Sequence, residues 1–158
     1  MAKGIRVLAH AARETRALGQ RLAAHLRHGD VLLLTGGMGA GKSEFARGLA
    51  RGLGLEGSIP SPTFTLLNLY QDGALPFKHF DWYRIEDPEE LYAAGLDEQV
   101  GGEGITAIEW HERAPELVPE DCLEVRLSPL DGDTREVAFL PHGGFRPLPW
   151  PDITEEHA

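Results

Sequence analysis

The sequence predicts an α/β fold, a three-layer sandwich around a central mixed, mostly parallel sheet, and two observations carry that expectation. The first is a continuous apolar run, VLLLT at 31–35, which reads as a strand covered on both faces. It is followed at once by the glycine-rich stretch GGMGAGKS and then by SEFARGLARGLGL, where Phe45, Leu49 and Leu53 recur at helical spacing. The second is a later buried run, ITAIEW, ending in an acid and an aromatic, with two further strands, CLEVRLSPL and REVAFLP, paired around the turn DGD. Strands of this kind alternating with an amphipathic helix bury their faces by layering helices on a sheet.

The remaining elements fall around that unit. IRVLA reads as a short edge strand, and Leu18, Leu22 and Leu26 recur every four residues between Ala12 and His28, predicting an amphipathic helix broken by HGD. Gly54 supplies the stop for the helix after the glycine loop. FTLLNLY and PFKHFDWY, separated by QDG, predict an antiparallel hairpin or two adjacent strands. In DPEELYAAG, Asp87 is the expected N-cap, with Pro88 at the first helical position and Glu90 three residues after the cap. One domain over 1–141 is expected. Residues 142–158 read as a flexible tail, rich in proline and acid, unless Phe145 or Trp150 docks.

At 158 residues the chain is long enough to bury a core without metal or disulfide staples. Its 15 basic and 25 acidic residues leave a formal charge of −10, which argues against a surface that grips nucleic acid and routes any RNA role through a partner. The single cysteine, Cys122, cannot form an internal disulfide and reads as a small buried hydrophobe. With no apolar run near the roughly 18 residues of a membrane span and no leader pattern in MAKGIRVLAH, the chain is expected to be cytoplasmic and free of membrane. His10, His25, His28, His142 and His157 show no metal-ligand spacing.

The chemistry concentrates at the glycine loop. Gly36, four residues, then Gly41, Lys42 and Ser43 fit the P-loop pattern, whose backbone N–H groups wrap phosphates while the lysine reaches the β and γ oxygens. The placement between an apolar strand and a helix is what the mechanism needs, because the helix N-terminus adds its dipole. Gly37, Met38, Gly39, Ala40, Gly41, Lys42, Ser43 and Glu44 are therefore the expected nucleotide-binding residues, with Ser43 a ligand of Mg²⁺. Such a site needs carboxylates at strand ends to hold the ion and to orient the attacking water. Asp81 in HFDWYR and Glu109 in AIEW each close a short apolar segment, and both are candidates for both tasks. His79, two residues before Asp81, shares its strand face. Thr63 and Thr65 in SPTFT offer hydroxyls on a switch-like segment, Arg84 offers a guanidinium for phosphate, and Trp110 offers an apolar surface to the nucleotide or to a partner.

GGMGAGKS, SPTFT followed by Tyr70, HFDWYR and IEW, in that order and spacing, resemble the TsaE (YjeE) family of bacterial ATPases from about Leu22 to Trp110. The resemblance implies a small P-loop NTPase-like protein that binds ATP and Mg²⁺ and serves, with the partners TsaB and TsaD, in making threonylcarbamoyladenosine in tRNA. It implies hydrolysis when docked, resetting the complex, with the carbamoyl transfer belonging to TsaD and tRNA met only indirectly. It carries Lys42 and Ser43 to the phosphates and Mg²⁺, Asp81 to the acid of the HxDxYR motif and Glu109 with Trp110 to the EW motif. The adopted division places Asp81 on the metal or its water shell and Glu109 on the attacking water. Two departures stand out. Trp82 occupies a place more often aliphatic. Glu44 replaces a hydroxyl that commonly touches the α-phosphate, so weaker nucleotide affinity than that of a Glu44→Thr variant is expected. A small-molecule kinase would share the loop, but no lid insert is evident between Glu56 and Pro119. A nucleotide-gated binding module with slow or absent hydrolysis is the other alternative.

Overall fold

The computed structural model describes residues 2–55 and 66–155. In chain order these form β1 (Ile5–Ala9), α1 (Ala12–Ala23), β2 (Val31–Thr35), α2 (Lys42–Gly52), β3 (Leu67–Tyr70), β4 (Phe77–Asp81), α3 (Glu89–Ala93), β5 (Ile105–Glu109), β6 (Cys122–Pro129), β7 (Arg135–His142) and α4 (Trp150–Thr154). Single 3-10 turns lie at Asp97–Gln99, His111–Arg113 and Pro115–Leu117.

The strands make one seven-stranded sheet in the order β1-β7-β6-β2-β5-β4-β3. β2 lies parallel to both β5 and β6, and β4 lies parallel to β5. The pairs β1–β7, β6–β7 and β3–β4 are antiparallel. Five strands (β1, β6, β2, β5, β4) thus run one way and two (β7, β3) the other, the mixed, mostly parallel sheet expected. IRVLA is an edge strand, and β3 with β4 is the antiparallel pair that flanks QDG.

Side-chain alternation divides the interior. Leu32 and Leu34 of β2 face the core beneath α1 and α2, whereas Val31 and Leu33 face the opposite core with Phe80, Trp82 and Leu91. α1 and α2 pack closely because glycines line their seam. A Cβ on Gly48 would fall 2.0 Å from the Arg16 carbonyl oxygen, and one on Gly19 2.4 Å from that of Phe45. The outer layer on the other face is thinner, made of α3 and the turns that follow it. Its entrance carries reciprocal bonds, the Asp87 carboxylate accepting the Glu89 N–H at 3.0 Å and the Glu90 carboxylate accepting the Asp87 N–H at 3.1 Å, although α3 opens one residue later than expected, with Pro88 rather than Asp87 at the cap position. Trp82 is fully buried, edge-on to Phe80 at 5.6 Å, so its bulk is absorbed by the core.

Two expectations are corrected. α1 ends at Ala23, not His28; the chain turns there, with the Asp30 carboxylate accepting the Arg27 N–H at 2.9 Å, although Leu26 is still buried. The segment after residue 141 is not a loose tail over its described part. Phe145, Leu148 and Ile153 are buried, and Trp150 stacks on Phe139 at 5.3 Å while donating Nε1–H to the Lys3 carbonyl at 3.1 Å. Arg146 pairs with Asp30 at 2.7 Å, and the segment closes as α4 against α1. Docking through Phe145 and Trp150 is what prevents a free tail. Cys122 is buried, and its thiol is pushed up to about 11, first by that burial and then by the charges of Glu124 and Asp121.

Candidate active site

Three neighbouring parallel strands deliver their carboxyl ends to one place. β2 leads into the loop 36–41, whose conformation needs glycine: φ is +142° at Gly36, +76° at Gly39 and +107° at Gly41. A Cβ at Gly36 would also lie 2.6 Å from the Leu127 carbonyl oxygen. Gly41 caps α2 without a side-chain hydrogen bond, and the first N–H seen bonding back is that of Phe45, to the Gly41 carbonyl at 3.0 Å. The opening amides of an eleven-residue helix therefore have no intrahelical acceptor and carry the positive end of its dipole.

The two acids arrive from β4 and β5. Asp81 and Glu109 are direct partners in the parallel register, and Glu109 is also opposite Leu34 of β2. Phe77, Ile105 and Ala107 sit in the core beneath α1 and α2, so alternation puts His79, Asp81 and Glu109 on that same face, beside the loop. A cleft of about 500 Å³ opens there, lined among others by Gly41, Lys42, Ser43, Asp81, Glu109 and Trp110. Its size suits a nucleotide-scale ligand.

Inside it the polar groups hold one another. Lys42 is buried; its Nζ is 3.8 Å from Glu109 Oε1 and 4.4 Å from the Trp110 ring centroid. His79 Nε2 lies 2.8 Å from Glu109 Oε2, so both oxygens of that carboxylate are engaged. The His79 ring stacks on Phe77 at 5.8 Å, and its buried Nδ1 finds no hydrogen-bond partner among the described residues. Asp81 accepts the Tyr83 N–H at 2.9 Å. Burial raises the Asp81 carboxyl above the ordinary range; the Tyr83 hydrogen bond pulls it back, Glu109 raises it, and Lys42 and His79 lower it. Trp110 is half-buried and forms a wall of the cleft, with Tyr83 packed on it at 4.9 Å. Its φ of 60° is the only positive value at a non-glycine among the described residues, strain of the kind that gathers at functional sites.

Other expected residues distribute as follows. Met38, Gly39 and Arg84 also line the cleft, whereas Ala40 turns into the core and Gly37 accepts the Ala40 N–H at 3.2 Å. Glu44 lines the cleft but its carboxylate is taken up by Arg16, at 2.8 Å, and Arg47, at 2.5 Å, which offset its charge. Thr63 and Thr65, with the rest of SPTFT, lie outside the described residues. Behind the loop, the Thr35 hydroxyl donates to Glu124 at 2.8 Å. Burial raises the pKa of Glu124, but bonds from Thr35, His142 and Arg126 outweigh it and leave the group below its usual range. Tyr83, Asp133 and Arg135 line the cleft without having been singled out in the sequence. Arg135 carries no motif; it reaches the loop only because the β6–β7 hairpin folds alongside β2.

A glycine loop between β2 and α2, at the carboxyl edge of parallel strands and faced by a buried lysine and two acids, defines an α/β protein of the P-loop fold. The chain matches the family described as "Threonylcarbamoyl adenosine biosynthesis protein TsaE" over residues 9–137. It is 42% identical over 130 residues to the "tRNA threonylcarbamoyladenosine biosynthesis protein TsaE" of Bacillus subtilis (strain 168), covering 82% of this chain and 81% of that protein. It is 38% identical over 133 residues to the protein of the same name from Treponema pallidum (strain Nichols), covering 84% and 98%. The crystal structure of Bacillus subtilis YdiB superimposes with a TM-score of 0.78 at 35% identity, covering 90% of this chain and 88% of that one. The chain belongs to the TsaE family.

Proposed function

We propose that this protein is a Mg²⁺-dependent ATPase that acts in tRNA threonylcarbamoyladenosine biosynthesis, docking on TsaB and TsaD and hydrolysing ATP in the docked state. The pathway follows from the family and from the names of its relatives in Bacillus subtilis and Treponema pallidum. The observation that carries the ATPase reading is the register of Asp81 opposite Glu109, on the face of the sheet where Lys42 meets Glu109 at 3.8 Å.

The donor set suits a hard cation shared with phosphate: a hydroxyl from Ser43 and carboxylate from Asp81, with no cluster of three or more His, Cys, Asp or Glu among the described residues able to hold a metal alone. Bound there, Mg²⁺ would neutralise charge on the transferring phosphoryl group. The residues of the chain do the rest. The loop and first α2 amides take the phosphates. Lys42 exchanges a carboxylate partner for the more highly charged triphosphate, which releases Glu109 Oε1 to accept a hydrogen bond from water. His79 holds the other oxygen, so Glu109 keeps its aim.

The test is phosphate release from Mg–ATP by the chain alone and mixed with TsaB and TsaD, with Lys42→Ala as control. A rise on mixing that the Lys42 variant lacks is expected. Glu109→Gln should retain ATP binding and lose turnover, falling by about two orders of magnitude or more as a general base is removed. ATP binding with no rise on mixing would favour a nucleotide-gated binding module instead.

A further inference from the structure

We propose that Arg135 is a positioning residue for nucleotide binding, a clamp that fastens the phosphate loop to the β6–β7 hairpin and fixes the direction of its amides. The inference rests on the reading of the loop as an ATP site. Arg135 opens β7, and its guanidinium is spent on backbone carbonyls. Nε donates to Ala40 at 3.0 Å and Nη2 to Gly39 at 3.1 Å, both in the loop. Nη1 donates to Gly132 at 2.9 Å and Thr134 at 3.1 Å, both at the turn between β6 and β7. One rigid planar group thus bridges two segments 95 residues apart.

The peptide group explains why this matters. In a trans peptide C=O and N–H point in opposite directions, so a bond that pulls the Ala40 carbonyl outward turns the Gly41 N–H the other way. Gly41 lines the cleft, and with φ at +107° it has wide freedom of its own when nothing holds its neighbour. The loop carbonyls also bring partial negative charge close to where phosphates would sit. The Arg135 guanidinium, bonded to them at the edge of the cleft it lines, offsets it and satisfies acceptors that an anion cannot. A lysine offers a point charge and cannot span the same four oxygens in a plane.

The experiment measures two things on wild type, Arg135→Ala, Arg135→Lys and Lys42→Ala: amide hydrogen exchange in the nucleotide-free chain, and the Kd for Mg–ATP by calorimetry. Arg135→Ala should speed exchange at residues 36–43 about tenfold while β2 and β5 keep their protection. It should raise the Kd about tenfold, the scale of a lost hydrogen bond to a charged group. Arg135→Lys should recover only part of both. Loop exchange unchanged in Arg135→Ala, or a Kd within twofold of wild type, overturns the proposal. If Arg135→Ala exposes amides throughout, Arg135→Lys decides by the same two criteria. Wild type that fails to bind Mg–ATP, or Lys42→Ala that binds equally well, sinks the ATP reading and the nucleotide role of Arg135 with it; loop exchange then decides the clamp alone.

Discussion

Asp81 shows how a site works against the fold that carries it. The ordinary value for its carboxyl is 3.8, and burial lifts it in the native state, Tyr83 lowers it, Glu109 lifts it again, and Lys42 and His79 only partly compensate. A carboxyl whose pKa is higher folded than unfolded binds its proton more readily in the native state, so its ionised form destabilises the fold. The cost is absent below the ordinary value, grows as the pH rises toward the native value and persists above it. Asp81→Asn keeps an oxygen for the Tyr83 N–H and drops the charge. It should therefore raise the melting temperature of the nucleotide-free protein at pH 7, with the gain vanishing below about pH 4, and should weaken Mg²⁺-dependent ATP binding. Scanning calorimetry at both pH values checks the first half and titration with Mg–ATP the second. A lower melting temperature at pH 7 would mean that the charge stabilises the fold. At this scale the acids, Lys42 and Trp110 were legible because a chemical demand and a local motif coincided on them. Arg135 was not, since its partners are main-chain oxygens that leave no mark on side-chain spacing.

Among the elements, the strands were readable because their apolar runs match the period of a sheet buried on two faces, and α2 because glycines and apolar positions bound it on both sides. α4 was hidden. The apolar residues of α4 and of the segment leading into it, Phe145, Leu148, Trp150 and Ile153, follow no helical or strand period, and the prolines among them resemble those of a linker. What holds it is tertiary: the apolar side chains fill the core beneath α1, and Arg21 donates to the Ile153 carbonyl at 2.6 Å. Ile153 is fully buried, so Ile153→Ala should cost about 2–4 kcal/mol in urea unfolding, the range for a large-to-small core substitution. A loss under about 0.5 kcal/mol, as for a surface residue, would show that α4 merely rests on the domain. The end of α1 was misplaced for a related reason: Leu26 keeps its period and its burial while the backbone has already turned toward Asp30 and Arg146.

Over the whole molecule the charge is segregated, which the total of −10 does not reveal. Residues 85–121 contain 12 acids and one base, Arg113, a sum of 1 − 12 = −11; the other residues hold 14 bases and 13 acids, a sum of +1. Apart from Glu109, which is buried in the site, and Asp97, which is half-buried, these acids are exposed. They fall on α3, on the turns that follow it and on the loops that enter β5 and β6. Nucleic-acid affinity comes chiefly from lysine and arginine displacing counterions from phosphates, and a face of this sign opposes it. No helix among the described residues is long and apolar enough to cross a membrane. The isolated chain should then show no binding to tRNA at about 100 μM and physiological salt, near the weak end of non-specific binding. Fluorescence anisotropy of labelled tRNA should stay flat as salt is lowered. Binding that strengthens steeply at low salt would reveal a basic track and put this subunit in direct contact with the RNA. A flat response, with tRNA captured only once TsaB and TsaD are present, would leave the acidic layer facing solvent or a basic protein surface and confine the chain's part to its nucleotide.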